Sequence, residues 1–211
     1  MYKLFDWKNM INESELDEVV KVINNDGIVV FPTETVYGIG GSALSKIAID
    51  RVYEAKKRPR EKAINILVSD KTEIEKYAKI NSDLERKIIE TFMPGPITII
   101  LEKQKNFGAG FTLDNNTIGV RIPDNKITST ILKNIKVPLI APSANISGRP
   151  SGVNVADIVE DFRDSVDIII DGGNAKLGLS STIVKVENND IQIIREGIIT
   201  KEEILSKIGC M

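Results

Sequence analysis

The chain has 211 residues, of which 42% are hydrophobic and 27% charged, and its net charge is −2. That is enough apolar material for one sizeable core, and there is no overall basic character to draw the chain to nucleic acid or membrane. Histidine is absent and the single cysteine is Cys210, which excludes Ser-His-Asp and Cys-His nucleophiles, His-ligated zinc, imidazole bases and internal disulfides. Such cysteine usage fits a reducing cytoplasm, and the absence of a leader or an apolar run near 18 residues predicts a soluble, cytoplasmic protein without membrane contact.

In chain order, Phe5 and Trp7 are expected to pack the N-terminal segment onto the domain. Ser14–Asp17 has the N-cap pattern of a helix whose apolar face is Leu16, Val19, Val20 and Ile23, with Gly27 as its C-cap. Ile28–Phe31 reads as a short buried strand stopped by Pro32, followed by a hydroxyl- and glycine-rich segment over 33–41. Gly38–Ala43 matches G-x-G-x-x-A, but it starts six residues after the strand stops. It also places Gly40-Gly41 where a helix should begin, which argues against a dinucleotide fold. A helix over Lys46–Ala55 leads into Lys-Lys-Arg-Pro-Arg-Glu-Lys at 56–62, five cations in seven residues. Pro59 fixes its own φ and biases Arg58 away from helix, so these cations form a basic turn rather than a solvated helix face.

A strand is predicted over Ile64–Val68, helices over Thr72–Ile80 and Asp83–Phe92, and a rigid break at Met93–Pro96. Ile97–Leu101 and Ile118–Ile122 read as strands separated by the polar loop 103–116. Arg121 alternates with Val120 and Ile122, so its head lies either beyond the sheet or buried against an anion. Ile127–Ile135 is a helix, Pro138–Ala141 a strand, Val155–Phe162 a helix and Asp167–Ile170 a strand. Thr182–Val186 and Ile191–Arg195 form a hairpin across Asn188-Asn189, and Thr200–Glu203 is a capping box that opens the last helix. Strands alternating with helices, plus one hairpin, predict a single α/β domain with a twisted, mixed sheet. Four polar loops, 32–41, 56–62, 142–152 and 171–181, leave strand ends, where ligand crevices form in open α/β sheets.

The loops are most specific as an ordered set. Pro32–Gly38, Lys56–Pro59, Pro94–Thr98, Arg121–Pro123, Pro142–Gly148, Asp171–Gly173 and Ser180–Val184 occur in this sequence and spacing. The set resembles the YrdC/Sua5 family of L-threonylcarbamoyladenylate synthases over about 13–200, with K-x-R and S-x-N as its signatures. The whole chain, 1–211, reads as the short, single-domain form, without the extra C-terminal domain of the longer Sua5 members.

The resemblance implies a YrdC-like mixed sheet bordering a positively charged concave cleft, and a nucleotidyltransferase. L-Threonine, bicarbonate or CO2 and ATP, with Mg²⁺ accompanying the ATP, would give threonylcarbamoyl-AMP and pyrophosphate. The product would pass to a separate transferase that forms threonylcarbamoyladenosine in tRNA. Carried over by position, the family's site implies Lys56, Arg58, Ser143 and Asn145 as catalytic, with Arg58, Lys62, Thr117, Ser143, Ser151 and Arg195 on ATP. Thr35, Leu67, Arg121, Ala141 and Ser181 would receive threonine, and no metal ligand is assigned.

Many relatives carry N-P-L-x-x-H after the K-x-R turn. Here Lys62–Leu67 reads Lys-Ala-Ile-Asn-Ile-Leu, so the family's histidine contact is either lost or replaced by Asn65. Glu34, between two threonines, reads first as an exposed turn acid, with a part in Mg²⁺ or proton handling as the alternative. The alternative reading is a module that binds double-stranded RNA or tRNA without ATP turnover. A basic cleft suits an RNA backbone, but 5% aromatics leave few stacking platforms.

Overall fold

A computed structural model describes residues 2–107 and 116–209. The chain runs through β1 (Lys3–Asp6), α1 (Glu13–Asn24), β2 (Val29–Phe31), β3 (Gly38–Gly40), α2 (Lys46–Ala55), β4 (Ile66–Leu67), α3 (Lys71–Tyr77), β5 (Ala78–Lys79) and α4 (Asp83–Phe92). It continues through β6 (Ile97–Lys103), β7 (Thr117–Arg121), α5 (Lys126–Ile135), β8 (Leu139–Ile140), α6 (Val159–Phe162), β9 (Ile168–Asp171), β10 (Thr182–Glu187), β11 (Asp190–Arg195) and α7 (Lys201–Ile208). The α/β class and the mixed sheet read from the sequence are present. The strands, however, divide between two sheets, one ordered β1-β9-β2-β3 and the other β11-β10-β6-β7-β4-β8, with β5 on β6.

In the first sheet β9 lies parallel to both β1 and β2. Val29–Phe31 and Ile168–Ile170 are fully buried, as expected for apolar strands covered on both faces. Trp7 and Phe5 stack 6.3 Å apart and join the cluster of α1, α5 and this sheet, so the N-terminal segment packs as expected. The second sheet is mixed. β10 runs parallel to β6, whereas β7 and β11 run antiparallel to their neighbours β6 and β10.

The two sheets meet where β3 passes the segment around β8, through bridges Gly38–Ser143 and Ser42–Leu139. The approach is close enough that a Cβ on Gly40 would stand 1.7 Å from the Ile140 carbonyl oxygen. No side chain can relieve a clash with backbone, so Gly40→Ala is expected to cost about 3 kcal/mol or more. A denaturant titration checks this, and a cost near zero would mean that the sheets can separate there.

Several local expectations shift by a turn. α1 is capped by Asn12, whose side chain accepts from Glu15 N, not by Ser14, and its C-cap is Asn25, not Gly27. α3 stops at Tyr77, because Ala78-Lys79 leaves the helix to pair with Glu102-Lys103 of β6. The helix predicted from Val155 begins only at Val159, since Asn154 and Asp157 fold the preceding residues into side-chain-bonded turns. The hairpin turn is as read, with Asn188 and Asn189 both at positive φ, the pairing that a two-residue type I′ turn requires. The box Thr200–Glu203 also forms. Cys210 and most of the loop 103–116 lie outside the described residues. Among those described, no helix is long and apolar enough to cross a membrane.

Candidate active site

A cleft opens where the strand ends of the second sheet face the 33–38 segment that follows β2. Its floor follows from register. Leu67 sits beside Arg121 across β4 and β7, and Thr98, Ile183 and Arg195 align across β6, β10 and β11. All five line the cleft. The opposite wall is Thr33, Thr35 and Tyr37, and the rim is made by Arg58, Ala141, Ser143 and Ser181.

The five cations of 56–62 do not form one patch. The turn that ends α2 sends them in different directions, because Lys57 takes a left-handed φ of 49°. Arg60 turns back over the Tyr53 ring and pairs with Asp50 at 2.6 Å. Lys62 is exposed and stands outside the cleft lining. Arg58 enters the cleft, with Nε and Nη2 donating to the carbonyls of Lys62 and Ala63 at 3.1 and 2.7 Å.

Lys56 is buried, 1% exposed, beneath the S-x-N loop. Its Nζ donates to the carbonyl oxygens of Ser143 and Asn145 at 2.5 and 2.6 Å, and its own carbonyl accepts from Ser147 N. Ser143 Oγ donates to Asn145 Oδ1 at 2.6 Å, while Asn145 Nδ2 donates to the carbonyls of Ile146 and Arg149. K-x-R and S-x-N are thus one bonded unit. Burial, with a smaller push from Arg58, brings the Lys56 amine down to about 7.

Arg121 is 7% exposed at the end of β7. Its Nε donates to the Gly95 carbonyl at 3.1 Å and its Nη2 to Thr35 Oγ1 at 3.0 Å. Thr33 Oγ1 gives its proton to the Val36 carbonyl. The 2.8 Å contact between the two threonine hydroxyls therefore runs from Thr35 to Thr33. Glu34 corrects an expectation. It is not an exposed turn acid but 5% exposed, with Oε1 2.7 Å from Arg121 Nη2. The 33–36 turn, closed by the Thr33 hydroxyl, aims it inward.

Arg195 donates through Nε and Nη2 to the Ser181 carbonyl at 3.3 and 2.7 Å and through Nη2 to Ser181 Oγ at 3.1 Å. Ser181 Oγ also meets Thr98 Oγ1 at 2.9 Å. Burial lowers the pKa of Arg195, and the charges of Arg121 and Arg58 lower it further. Three guanidinium groups from three separate elements therefore share one field, an arrangement that an anion relieves.

Of the residues singled out in the sequence, Thr35, Arg58, Leu67, Arg121, Ala141, Ser143, Ser181 and Arg195 line this cleft. Lys56 and Asn145 lie behind it, bonded to its rim, whereas Lys62, Thr117 and Ser151 are not part of its lining. Thr33, Tyr37 and Thr98 line it without having been assigned a role, although each falls inside one of the ordered motifs. Asn65, the alternative to the family's histidine, also lines it. Among the described residues no group of three or more carboxylates, cysteines or histidines is arranged to hold a metal ion.

Comparison with known proteins bears on this geometry. A family model described as "Telomere recombination", covering Sua5, YciO and YrdC, matches residues 21–197. A Methanocaldococcus jannaschii protein described as a putative threonylcarbamoyl-AMP synthase is 43% identical over 198 residues, which are 92% of this chain and 93% of that one. The Pyrococcus abyssi threonylcarbamoyl-AMP synthase is 34% identical over 96% of this chain, but the match spans only 59% of its own length. A crystal structure of P. abyssi Sua5 complexed with L-threonine superposes with a TM-score of 0.93 at 33% identity, covering 98% of this chain and 61% of that one. Escherichia coli YciO shares the fold, with a TM-score of 0.88 at 22% identity over 97% of this chain and all of the YciO chain.

Proposed function

Because the chain belongs to the Sua5/YciO/YrdC family, we propose that it is a threonylcarbamoyl-AMP synthase, a nucleotidyltransferase acting on L-threonine, bicarbonate or CO2 and ATP. The observation that carries the reading is the cleft itself. Three arginines converge beside short hydroxyl side chains, with neither histidine nor cysteine among its lining residues.

The reaction suits that inventory. The amine of threonine adds to CO2 and loses a proton, giving a carbamate. A carbamate oxygen then attacks the α-phosphorus of ATP, forming the P–O bond as the bond to pyrophosphate breaks. The nucleophile belongs to the substrate, so the protein's tasks are alignment and charge neutralisation.

Arg121, with Thr35 and Ser181 near it, would take the threonine carboxylate and hydroxyl, walled by Leu67 and Ala141. Arg58 and Arg195 would take the phosphates, with Ser143 and Asn145, held by Lys56, offering neutral oxygens to metal-bound water. Mg²⁺ enters as part of the substrate, coordinated chiefly by the phosphates of ATP. Lys62, Thr117 and Ser151 would meet the nucleotide from outside the pocket. The product, a mixed anhydride, is an activated carbamoyl donor suited to a transferase that modifies tRNA.

Pyrophosphate release by the purified protein tests this directly. It is expected to require ATP, bicarbonate and L-threonine together, and to fall by about 10⁴-fold with L-valine, because groups that bond the hydroxyl would be left unpaired. Release that ignores the amino acid would overturn the assignment.

A further inference from the structure

The three arginines of the cleft are not electrostatically equivalent. Among the described residues, Arg58 and Arg195 have no carboxylate within ion-pair distance; Arg58 bonds to backbone carbonyls and to Tyr53, and Arg195 to the Ser181 carbonyl and hydroxyl. Arg121 alone is matched by an acid, the buried Glu34. The contact is also unusual in form. The directed N–H bonds of Arg121 go to Gly95 and Thr35, and Glu34 meets it through one oxygen only, Oε1 at 2.7 Å from Nη2. An acid retained to clamp an arginine would meet it as a two-bond fork. Glu34 instead supplies charge at 2.7 Å without the fork, and Arg121 Nη1 donates no hydrogen bond among the described residues. Burial lowers the pKa of Arg121 while Glu34 opposes that fall.

We propose that Glu34 is a specificity-determining residue: it compensates Arg121 so that this end of the cleft accepts a monocarboxylate carrying its own amine and rejects phosphate groups, which are left to Arg58 and Arg195. The inference rests on the synthase reading above and extends it. A cleft with three uncompensated arginines would hold phosphate at any of them, and ATP or pyrophosphate could occupy the amino-acid end. A phosphate group placed at Arg121 meets a fixed, desolvated carboxylate, and like charges so placed weigh heavily against the wrong ligand. A single carboxylate restores to Arg121 the hydrogen bonds that Glu34 does not make, and its adjacent amine lowers the net charge brought in.

The test is calorimetric titration of L-threonine into the full chain, with and without saturating inorganic phosphate, for the wild type and Glu34→Gln. In the wild type, phosphate is expected to weaken a nonhydrolysable ATP analogue while changing the threonine Kd by less than about twofold. In Glu34→Gln, phosphate is expected to raise the threonine Kd by about tenfold or more. A residue that merely supports the fold would not create competition between two ligands. Equal competition in wild type and variant overturns the proposal. If Glu34→Gln does not fold, the wild-type titration decides, and phosphate competing with threonine there overturns it. Failure of the wild type to bind L-threonine at all would instead refute the synthase reading, and this inference would fall with it.

Discussion

Replacing Arg121 with alanine is expected to abolish threonine-dependent pyrophosphate release and to lower folding stability by about 3–5 kcal/mol. The two losses have different origins. Activity is lost because the proposed carboxylate ligand disappears from the cleft. Stability is lost because Glu34, 5% exposed and paired with no other cation among the described residues, is left as a buried charge. The double variant Arg121→Ala with Glu34→Gln separates them. It is expected to regain most of the stability, since removing both members of a buried pair is far less costly than removing one, while remaining inactive. Chemical denaturation of the two single variants and the double gives the coupling directly. Additive losses would show that the pair does not act as a unit.

Lys56→Met is the second large effect. Methionine keeps an unbranched apolar stem in the buried site but removes the donors to the carbonyls of Ser143 and Asn145. Among the described residues the Asn145 carbonyl loses its donor, at a cost of about 1–3 kcal/mol, whereas the Ser143 carbonyl still accepts from Asn145 N at 3.0 Å. The S-x-N loop then loses its anchor, so kcat/KM for ATP is expected to fall by about 10²–10³-fold, the scale of removing one preorganised donor. Unchanged kcat/KM would remove Lys56 from the site.

The same lysine gives the chain a pH dependence of definite sign. Its folded pKa is depressed from 10.5 to about 7, so between these values the unfolded chain binds more protons than the folded one. Stability therefore rises with pH across this window, on the order of a few kcal/mol at most, and is insensitive to Lys56 below it. Lys56→Met should flatten that rise in denaturant titrations between about pH 7 and pH 10. The geometry adds a binding consequence. A neutral amine has two N–H groups, matched to the two carbonyls, and the third proton of the ammonium form has a use only when an anion supplies an acceptor. ATP affinity is accordingly expected to weaken as pH climbs past about 7, and equilibrium binding in buffers of different ionisation enthalpy would report the proton taken up. Affinity independent of pH in that range would mean that the protonation of Lys56 is not linked to ATP binding.

These expectations rest on contacts that the sequence could not display. Reading 56–62 along the chain yields a block of five cations. Folding separates them into one buried anchor, one cleft arginine, one arginine paired with Asp50, and Lys57 and Lys62, which lie exposed outside the cleft. Glu34 shows the same limit more sharply. As a lone acid between two threonines it resembled an ordinary turn residue, and nothing local marks its partner. That partner is 87 positions away on another sheet, and only the meeting of the segment after β2 with the end of β7 brings the two charges together.

What the sequence determined by itself was local or ordered. The ranges read for α2, α4 and α5 hold almost to the residue, Thr200 and Glu203 announced their cap, and Asn188-Asn189 set the hairpin between β10 and β11. These signals act over a few residues, where helix period, cap bonding and allowed φ decide the conformation. The ordered motifs added the family, because their spacing reflects one arrangement of strand ends. The tertiary structure alone decided the split into two sheets, the departure of Ala78-Lys79 from α3 into β5, the union of K-x-R with S-x-N through Lys56, and the pairing of Glu34 with Arg121. Each of these trades a local preference for a contact between segments far apart in the chain, and only packing brings such segments together.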